Sequence, residues 1–457
     1  MRKKALLALL LALTLMLSGC ALIVKDEAVD NATVIIRMGE KEITKGEVKE
    51  QINNQLQYNA YYASILGQSY DPTSKEAIEQ AQTGAVEALK EDLALTAKAA
   101  ELGLDKLSDE EEEQVKTNAQ ASYDSALEYI KTSDLKDSGL EGEELDKAAA
   151  DELAKRGVSL ETYIESERKS QIDKKLRDEA IKDVTVSDDE IKTEYDTRVA
   201  NDKDTYSENP GSWATAANNN TTLYYTPAGV RRVKQILTKF KDEDQTAIDE
   251  AKQKQTDANT AVTAANAKVT AAQEVIDTEG IDEETRAQAE EDLKTANAEL
   301  EKANTDLEAA KQAVEDATNK AFENIDAETD GILQQLKDGA DWQTLMDEKN
   351  QDPGMKDNEK GYAVAAGMTN FDAAFVDAAM ALEKPGDWSG KVKGTSYGYY
   401  IVRYEGDEPE GATPLEDVKE TISSSILSDK QDETYDAKVA KWVEEANIKV
   451  DMNALKD

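Results

Sequence analysis

Histidine and cysteine set the first limit on what this chain can do chemically. Among 457 residues there is no histidine and one cysteine, Cys20. A serine or threonine nucleophile therefore has no imidazole to take its proton, and neither a Ser-His-Asp nor a Cys-His set can be assembled. An ordinary zinc site, built from the same two residue types, is excluded as well. Acidic clusters such as Glu110 to Glu113 could hold calcium weakly, but no spaced Asp-x-Asp-x-Asp-Gly loop accompanies them, and they read as solvated helix faces. No glycine-rich phosphate loop is present. No metal and no cofactor is expected. The chemistry left to the chain depends on how its elements bring other side chains together.

The single cysteine has a context of its own. Residues 1–20, MRKKALLALLLALTLMLSGC, open with Arg2, Lys3 and Lys4, run apolar from Ala5 to Leu17 and close in small residues, the form of a secretory leader. Leu17-Ser18-Gly19-Cys20 resembles a bacterial lipobox, which implies an acylated Cys20 and attachment to the membrane through that lipid. An exported chain with one cysteine forms no internal disulfide, so packing alone must stabilise it. The formal net charge is −42, with 33% charged and 39% hydrophobic residues. Such a surface repels nucleic acid and anionic lipid alike. It suits solubility on a crowded cell surface, or attraction to basic, unfolded secreted chains.

Patterning supplies the elements. After a tether over 21–33, Val34 to Met38 reads as a strand, Gly39-Glu40 as a turn and Thr44 as a helix N-cap. Helical periodicity runs from there to about Asp183, with breaks at GQSYDPTSKE, LGLDKLSDEE and RGVSLETYIESE, and restarts after Ser187. Residues 207–229 hold two prolines, two glycines and an Asn run, and read as an irregular linker. Beyond them Ile248, Gln255, Val262, Val269 and Ile276 recur every seven residues, with Ala251, Ala258, Ala265 and Ala272 between them. A second arm repeats this with Leu293, Leu300, Leu307 and Val314 and with Ala296, Ala303, Ala310 and Ala317. Two such arms separated by DTEGIDEE predict an antiparallel helical hairpin over 241–320, each arm about 50 Å long. Its expected role is a structural spacer or an arm that meets a protein partner. With 241–320 cut out, GVRRVKQILTKF continues into a helix, a Pro-Gly turn, an amphipathic helix and the strand SYGYYIVRYEG.

This order of elements, with ILQQLKDGADWQTLMDEKNQDPGMKDN, AFVDAAMALEKPGDWSGKV and YGYYIVRY, resembles the parvulin-type peptidyl-prolyl isomerases. Together with the lipobox, a helical region opening with GEKEITKGEV and a closing helix, the whole resembles PrsA-type foldase lipoproteins, relatives of the SurA chaperones. The resemblance implies an α+β fold. It comprises a mostly helical chaperone domain over 34–206, a parvulin-like domain over 230–240 and 321–407, the hairpin inserted between those pieces, and a C-terminal helix within 408–457 packing on the chaperone domain. It also implies an extracytoplasmic, lipid-anchored foldase, an isomerase and chaperone for newly exported polypeptides containing X-Pro bonds.

The resemblance carries site residues too. Parvulins have two histidines facing each other across the site floor, on the first and last strands; the matching positions here are Gln235 and Tyr400, both substituted. Asp352 matches the family's acidic or cysteine residue at the end of the first helix. Phe375 matches one wall of the proline pocket, and Met368 or Phe371 the other. Read by themselves, these residues have plainer roles. Asp352 is a turn residue before Pro353, and Phe371, Phe375 and Met380 lie at the helical spacing of a core. Tyr400 covers a sheet, and Gln235 satisfies a neighbour. Loss of both histidines leaves open a weak isomerase, a holdase whose site has decayed, or a surface scaffold that works through the hairpin.

Overall fold

The computed structural model describes residues 27–356 and 358–455; the leader, Cys20 and the tether as far as residue 26 lie outside the described residues. Chain contacts divide the rest into two units, one running to Val186 and resuming at Ser424, the other Ser187–Ser423.

The first unit contains α1 (Glu27–Asn31), β1 (Val34–Met38), β2 (Lys41–Thr44), α2 (Lys45–Ile65), α3 (Lys75–Glu101), α4 (Asp109–Tyr129), α5 (Gly142–Lys155) and α6 (Leu160–Ile181). Helix starts are set by capping chemistry. Thr44 and Ser108 each accept from the backbone three residues on, while Glu47 and Glu111 return a carboxylate to the cap's own N–H. β1 lies between β2 and the last strand of the chain, β9 (Lys449–Val450). Ile35, Ile36, Val48, Ile52, Ala81 and Ala85 form the core beside this sheet. Only the first half of α2 joins it, and no residue from Asn53 to Glu76 is buried. On the second half Tyr58, Tyr61, Tyr62, Ile65 and Leu66 stand 50–65% exposed.

The second unit contains α7 (Asp188–Tyr206), α8 (Pro210–Asn218), β3 (Tyr225–Thr226), β4 (Arg231–Lys239), α9 (Asp242–Asp277), α10 (Glu283–Lys337) and α11 (Trp342–Lys349). It continues with β5 (Tyr362–Val364), α12 (Ala373–Ala381), β6 (Val392–Lys393), β7 (Gly398–Asp407) and β8 (Gly411–Ala412). α13 (Leu415–Glu445) holds the boundary between the units within its length. The main sheet is antiparallel in the order β5-β4-β7-β6. β4 pairs with β7 along its whole length, from Arg231 opposite Asp407 to Lys239 opposite Gly398. Strands flanking a long excursion thus close into one sheet. Ile236 and Ile401 face Ile332, Leu336, Trp342 and Leu345 of the helices behind it. Val233, Leu237, Tyr400 and Val402 face Phe375, Val376 and Trp213 on the other side. With both faces covered, the middle of β4 is buried throughout instead of alternating.

Three expectations need correction. The stretch 207–229 is not an irregular linker, because Pro210 occupies the first turn of α8, where its fixed φ suits a helix and its missing N–H costs nothing. Trp213 and Ala214 of α8 enter the sheet core, and the Trp213 indole donates to the Tyr225 carbonyl at 2.7 Å. Asn218 bonds both the N–H and the carbonyl of Ala363 at 2.8 Å each, closing the free edge of β5. Secondly, α7, assigned from sequence to the chaperone region, groups with the second unit. Ser187 and Glu190 start it afresh with a capping box, and the Tyr195 hydroxyl donates to the Thr413 carbonyl at 2.7 Å. Thirdly, the hairpin does not end at 320. Its second arm is one 55-residue helix that runs on through Phe322 and Leu336 to become the helix behind the sheet. No proline, and no glycine before Gly331, interrupts it. At about 1.5 Å per residue α10 is about 80 Å long. Alanines at 251, 265 and 272 are buried on one arm and alanines at 289, 296 and 303 on the other, and such small side chains let two axes approach closely. Among the described residues no helix is long and apolar enough to cross a membrane.

Candidate functional site

The exposed end of the cavity-side sheet face holds a hollow of about 400 Å³. Its floor comes from β4, where Gln235, Leu237 and Lys239 follow one another on one face with the two-residue period of a strand. β7 adds Tyr400, which stands opposite Leu237, while Gln235 stands opposite Val402. Gln235 and Tyr400 are thus diagonal neighbours on one face, within reach of long side chains but not directly opposed. Both are buried, at 6% and 5% exposure.

Aromatic rings make the wall. Tyr362, Phe371, Phe375 and Tyr400 meet edge to face in sequence, with centroids 5.0, 5.6 and 5.4 Å apart. This arrangement suits ring quadrupoles and stiffens the wall without strong bonds. Phe375 lies in the first turn of α12, whose N-cap Asp372 accepts from the Ala374 N–H at 3.0 Å and from the Thr395 hydroxyl at 2.9 Å. Gly394 makes room for Tyr400, since a Cβ there would lie 2.5 Å from the ring.

Asp352 sits at the polar end. It caps the short turn Pro353–Met355, accepting the Gly354 N–H on Oδ1 at 2.9 Å. Its Oδ2 accepts both the Gln235 amide at 2.7 Å and the Tyr362 hydroxyl at 2.9 Å. Asn350 ties the segment to the sheet, since its side-chain oxygen accepts from Leu237 N–H at 2.9 Å and Asp352 N–H at 3.1 Å. Asp352 thus both caps the turn and lines the hollow. The Gln235 amide nitrogen meets a neighbour, Asp352, and its oxygen is buried with no hydrogen-bond partner among the described residues.

The two phenols differ as well. Burial first, and nearby carboxylates second, push the Tyr362 and Tyr400 hydroxyls well above the ordinary tyrosine range, so both remain protonated donors. Tyr362 gives its proton to Asp352, whereas no described residue bonds the Tyr400 hydroxyl.

Of the sequence-derived site residues, Gln235, Asp352, Phe371, Phe375 and Tyr400 come together at the hollow. Met368 does not line it: the side chain is buried in the core with Trp213 and Val376. Of the two alternatives for the second wall, Phe371 lines the hollow and Met368 does not, since α8 packs tightly on the loop after β5. A Cβ on Gly211 would lie 2.6 Å from the Met368 nitrogen. Cys20 lies outside the described residues. Tyr362, Gly354 and Lys239 were not foreseen. KGYAV signals a short strand but nothing of which way Tyr362 faces, and Lys239 ends a strand whose pocket face was already marked by Gln235.

No family model matches the chain. Foldase protein PrsA 2 of Listeria monocytogenes serotype 4b is 38% identical over 127 residues, 28% of this chain and 42% of that protein. Foldase protein PrsA of a type A strain of Clostridium botulinum is 31% identical over 121 residues, 26% of this chain and 35% of that protein. The chain thus spans less than half the length of these curated relatives. Among solved structures, foldase protein PrsA of Streptococcus pneumoniae aligns with TM-score 0.26 and 15% identity, over 93% of this chain and 97% of that one. A SurA-like chaperone of Campylobacter jejuni aligns with TM-score 0.24 and 13% identity, over 92% and 100%. These whole-chain scores are too low to carry a structural argument, and the kinship rests on sequence. Over 26–28% of its length, the chain is similar in sequence to PrsA-type foldases.

Proposed function

We propose that the second unit is a peptidyl-prolyl cis-trans isomerase working without histidine, in a foldase that is exported and lipid-anchored through Cys20. The observation that supports this most directly is the aromatic hollow with an unbonded phenol at its wall. Rotation about an X-Pro bond crosses a barrier of about 18–20 kcal/mol set by amide resonance, and exchange unaided takes about 10–100 s. No nucleophile is required. A pyrrolidine ring seated against the wall of Phe371 and Phe375 would leave its imide at the polar end, stripped of water. Twisting returns the lone pair to the imide nitrogen, and a hydroxyl such as that of Tyr400 donating to that nitrogen would favour the twisted amide over the planar one. Each 1.4 kcal/mol of such preference gives about tenfold in rate. The names of the relatives support a foldase; the isomerase assignment rests on the hollow. The test is exchange of a prolyl tetrapeptide followed with the mature chain. Acceleration that disappears in Tyr400→Phe is expected, and no acceleration by the wild type would end this reading.

A second, non-catalytic reading is favoured by α2. From Gln51 to Tyr70 the sequence carries no charged residue, in a chain of which a third is charged. Tyr58, Tyr61, Tyr62, Ile65 and Leu66 stand exposed there. Such a face fits an extended segment of an unfolded polypeptide rich in aromatic and aliphatic residues. It would hold clients without reference to their charge. Suppression of client aggregation that survives high salt, and fails when Tyr61 and Ile65 become serine, is the expected result. A partner of the hairpin is a third reading, carried only by its length.

A further inference from the structure

Asp352 has three donors, and one of them comes from a residue that none of the foregoing roles explains. Tyr362 lies opposite Val233 at the edge of the sheet, and its hydroxyl reaches Asp352 Oδ2 at 2.9 Å. The same oxygen receives the Gln235 amide at 2.7 Å, so the carboxylate clamps a phenol and an amide side by side. The approach is built into the turn. A Cβ on Gly354 would lie 2.1 Å from the Tyr362 hydroxyl oxygen, so only glycine at 354 leaves room for this bond. On its other side the Tyr362 ring is held by Phe371, edge to face at 5.0 Å. Gln235 has no second anchor, since its carbonyl oxygen is unpartnered, and its orientation depends on Asp352 alone.

We propose that Tyr362 is a positioning residue of the hollow: its hydroxyl orients the Asp352 carboxylate, Asp352 orients the Gln235 amide, and the Tyr400 hydroxyl is thereby left as the donor that meets the substrate imide. The proposal rests on the isomerase reading for its catalytic half. Two substituted positions and one phenol thus divide the work. Tyr400 touches the substrate, while Tyr362 and Gln235 hold the polar end rigid around it. A bond locked on both sides by glycine and a ring edge has one geometry, as positioning requires.

The test is a cycle on the full mature chain with Tyr362→Phe, Gly354→Ala and the double variant, and with Tyr129→Phe, an exposed tyrosine of the first unit, as control. Tyr362→Phe should lower kcat about tenfold and change KM less than twofold, because the substrate loses orientation of the site and not a contact. Gly354→Ala should do the same by displacing the hydroxyl. The double variant should be no worse than Tyr362→Phe alone, a non-additivity that independent structural damage would not produce. The Gln235 side-chain amide resonance should shift in both single variants. Full kcat in Tyr362→Phe, or additive losses in the double variant, would overturn the proposal. If the wild type itself proves inactive, the isomerase reading fails separately, and an unshifted Gln235 resonance in Tyr362→Phe would then overturn the positioning of the polar end as well.

Discussion

The hollow over β4 and the outer half of α2 both gather tyrosines with apolar neighbours, and they do so under opposite constraints. In the hollow Tyr362, Phe371, Phe375 and Tyr400 meet ring to ring, and of the polar side chains Gln235, Asp352, Tyr362 and Tyr400 the first three are spent on one another. On α2 only Tyr58 and Tyr62 touch, with centroids 5.0 Å apart, and no residue of that half is buried. The first arrangement fixes geometry and suits a reaction whose barrier depends on the angle of one bond. The second fixes nothing and suits partners of many shapes. One tyrosine-rich composition is thus held in a fixed geometry in one unit and left exposed in the other, and packing decides which.

The comparison breaks most visibly at Phe375. Phe375→Ala removes a ring that is 3% exposed and bonded edge to face on both sides. It should cost about 3–5 kcal/mol of the second unit's stability and abolish prolyl exchange. Aggregation suppression should be unchanged at temperatures where the unit stays folded, as denaturant unfolding and both assays would show. A loss of both activities together would mean that the two surfaces are one site. Gly211→Ala comes next. The added Cβ meets the backbone of Met368 and Gly367, which cannot yield as a side chain can. A loss of about 1–3 kcal/mol is expected, read from the urea midpoint. On α2 the effect is functional instead. Tyr61→Ser with Ile65→Ser should reduce aggregation suppression several-fold while stability changes by no more than about 0.5 kcal/mol.

The pH dependence sharpens the contrast further. Folded-state values of Tyr362 and Tyr400 lie above the ordinary tyrosine value, so the fold favours the protonated phenols. Their contribution is complete below about pH 10, and it is lost progressively as pH rises from there through the folded values. Stability of the second unit should therefore fall above about pH 10, and less steeply in Tyr400→Phe, as unfolding at stepped pH would show. A histidine-based site would switch near its ordinary pKa of about 6.5; this one has no such group, and exchange rates should be flat between about pH 6 and 9. The smallest effect belongs to the hairpin. Excision of 262–305 with a short glycine turn should leave both activities within about twofold, and a larger loss in either would bring the hairpin into function.

Much of this molecule was legible in its residues, for particular reasons. The heptads of Ile248 to Ile276 and Leu293 to Val314 mark the hairpin, because a seam of alanine and aliphatic side chains at that period has one way to pack. Caps at Thr44, Ser108 and Ser187 mark helix starts through local bonds alone. Helix α8 was hidden for the complementary reason. Pro210, Gly211 and the Asn run are turn residues by local preference, and the tertiary contacts of Trp213 and Asn218 override that preference. The end of the hairpin was hidden because nothing stops a helix at 320, and only the sheet beside Phe322 tells spacer from domain.

The site divides in the same way. Alternation along β4 and β7 puts Gln235 and Tyr400 on definite strands, but strand register places them diagonally, and register follows from pairing over a long separation. Resemblance brought Asp352 into view, yet its bond to Tyr362 depends on a turn and a strand edge that meet only in the folded unit. By itself the sequence determined what chemistry is absent, where the long helices run and which stretch carries no charge, since these depend on residue type and short-range period. The tertiary structure alone decided which phenol is bonded and which is unbonded, because a hydroxyl's partner is set by distances of about 3 Å between segments that local preference cannot bring together.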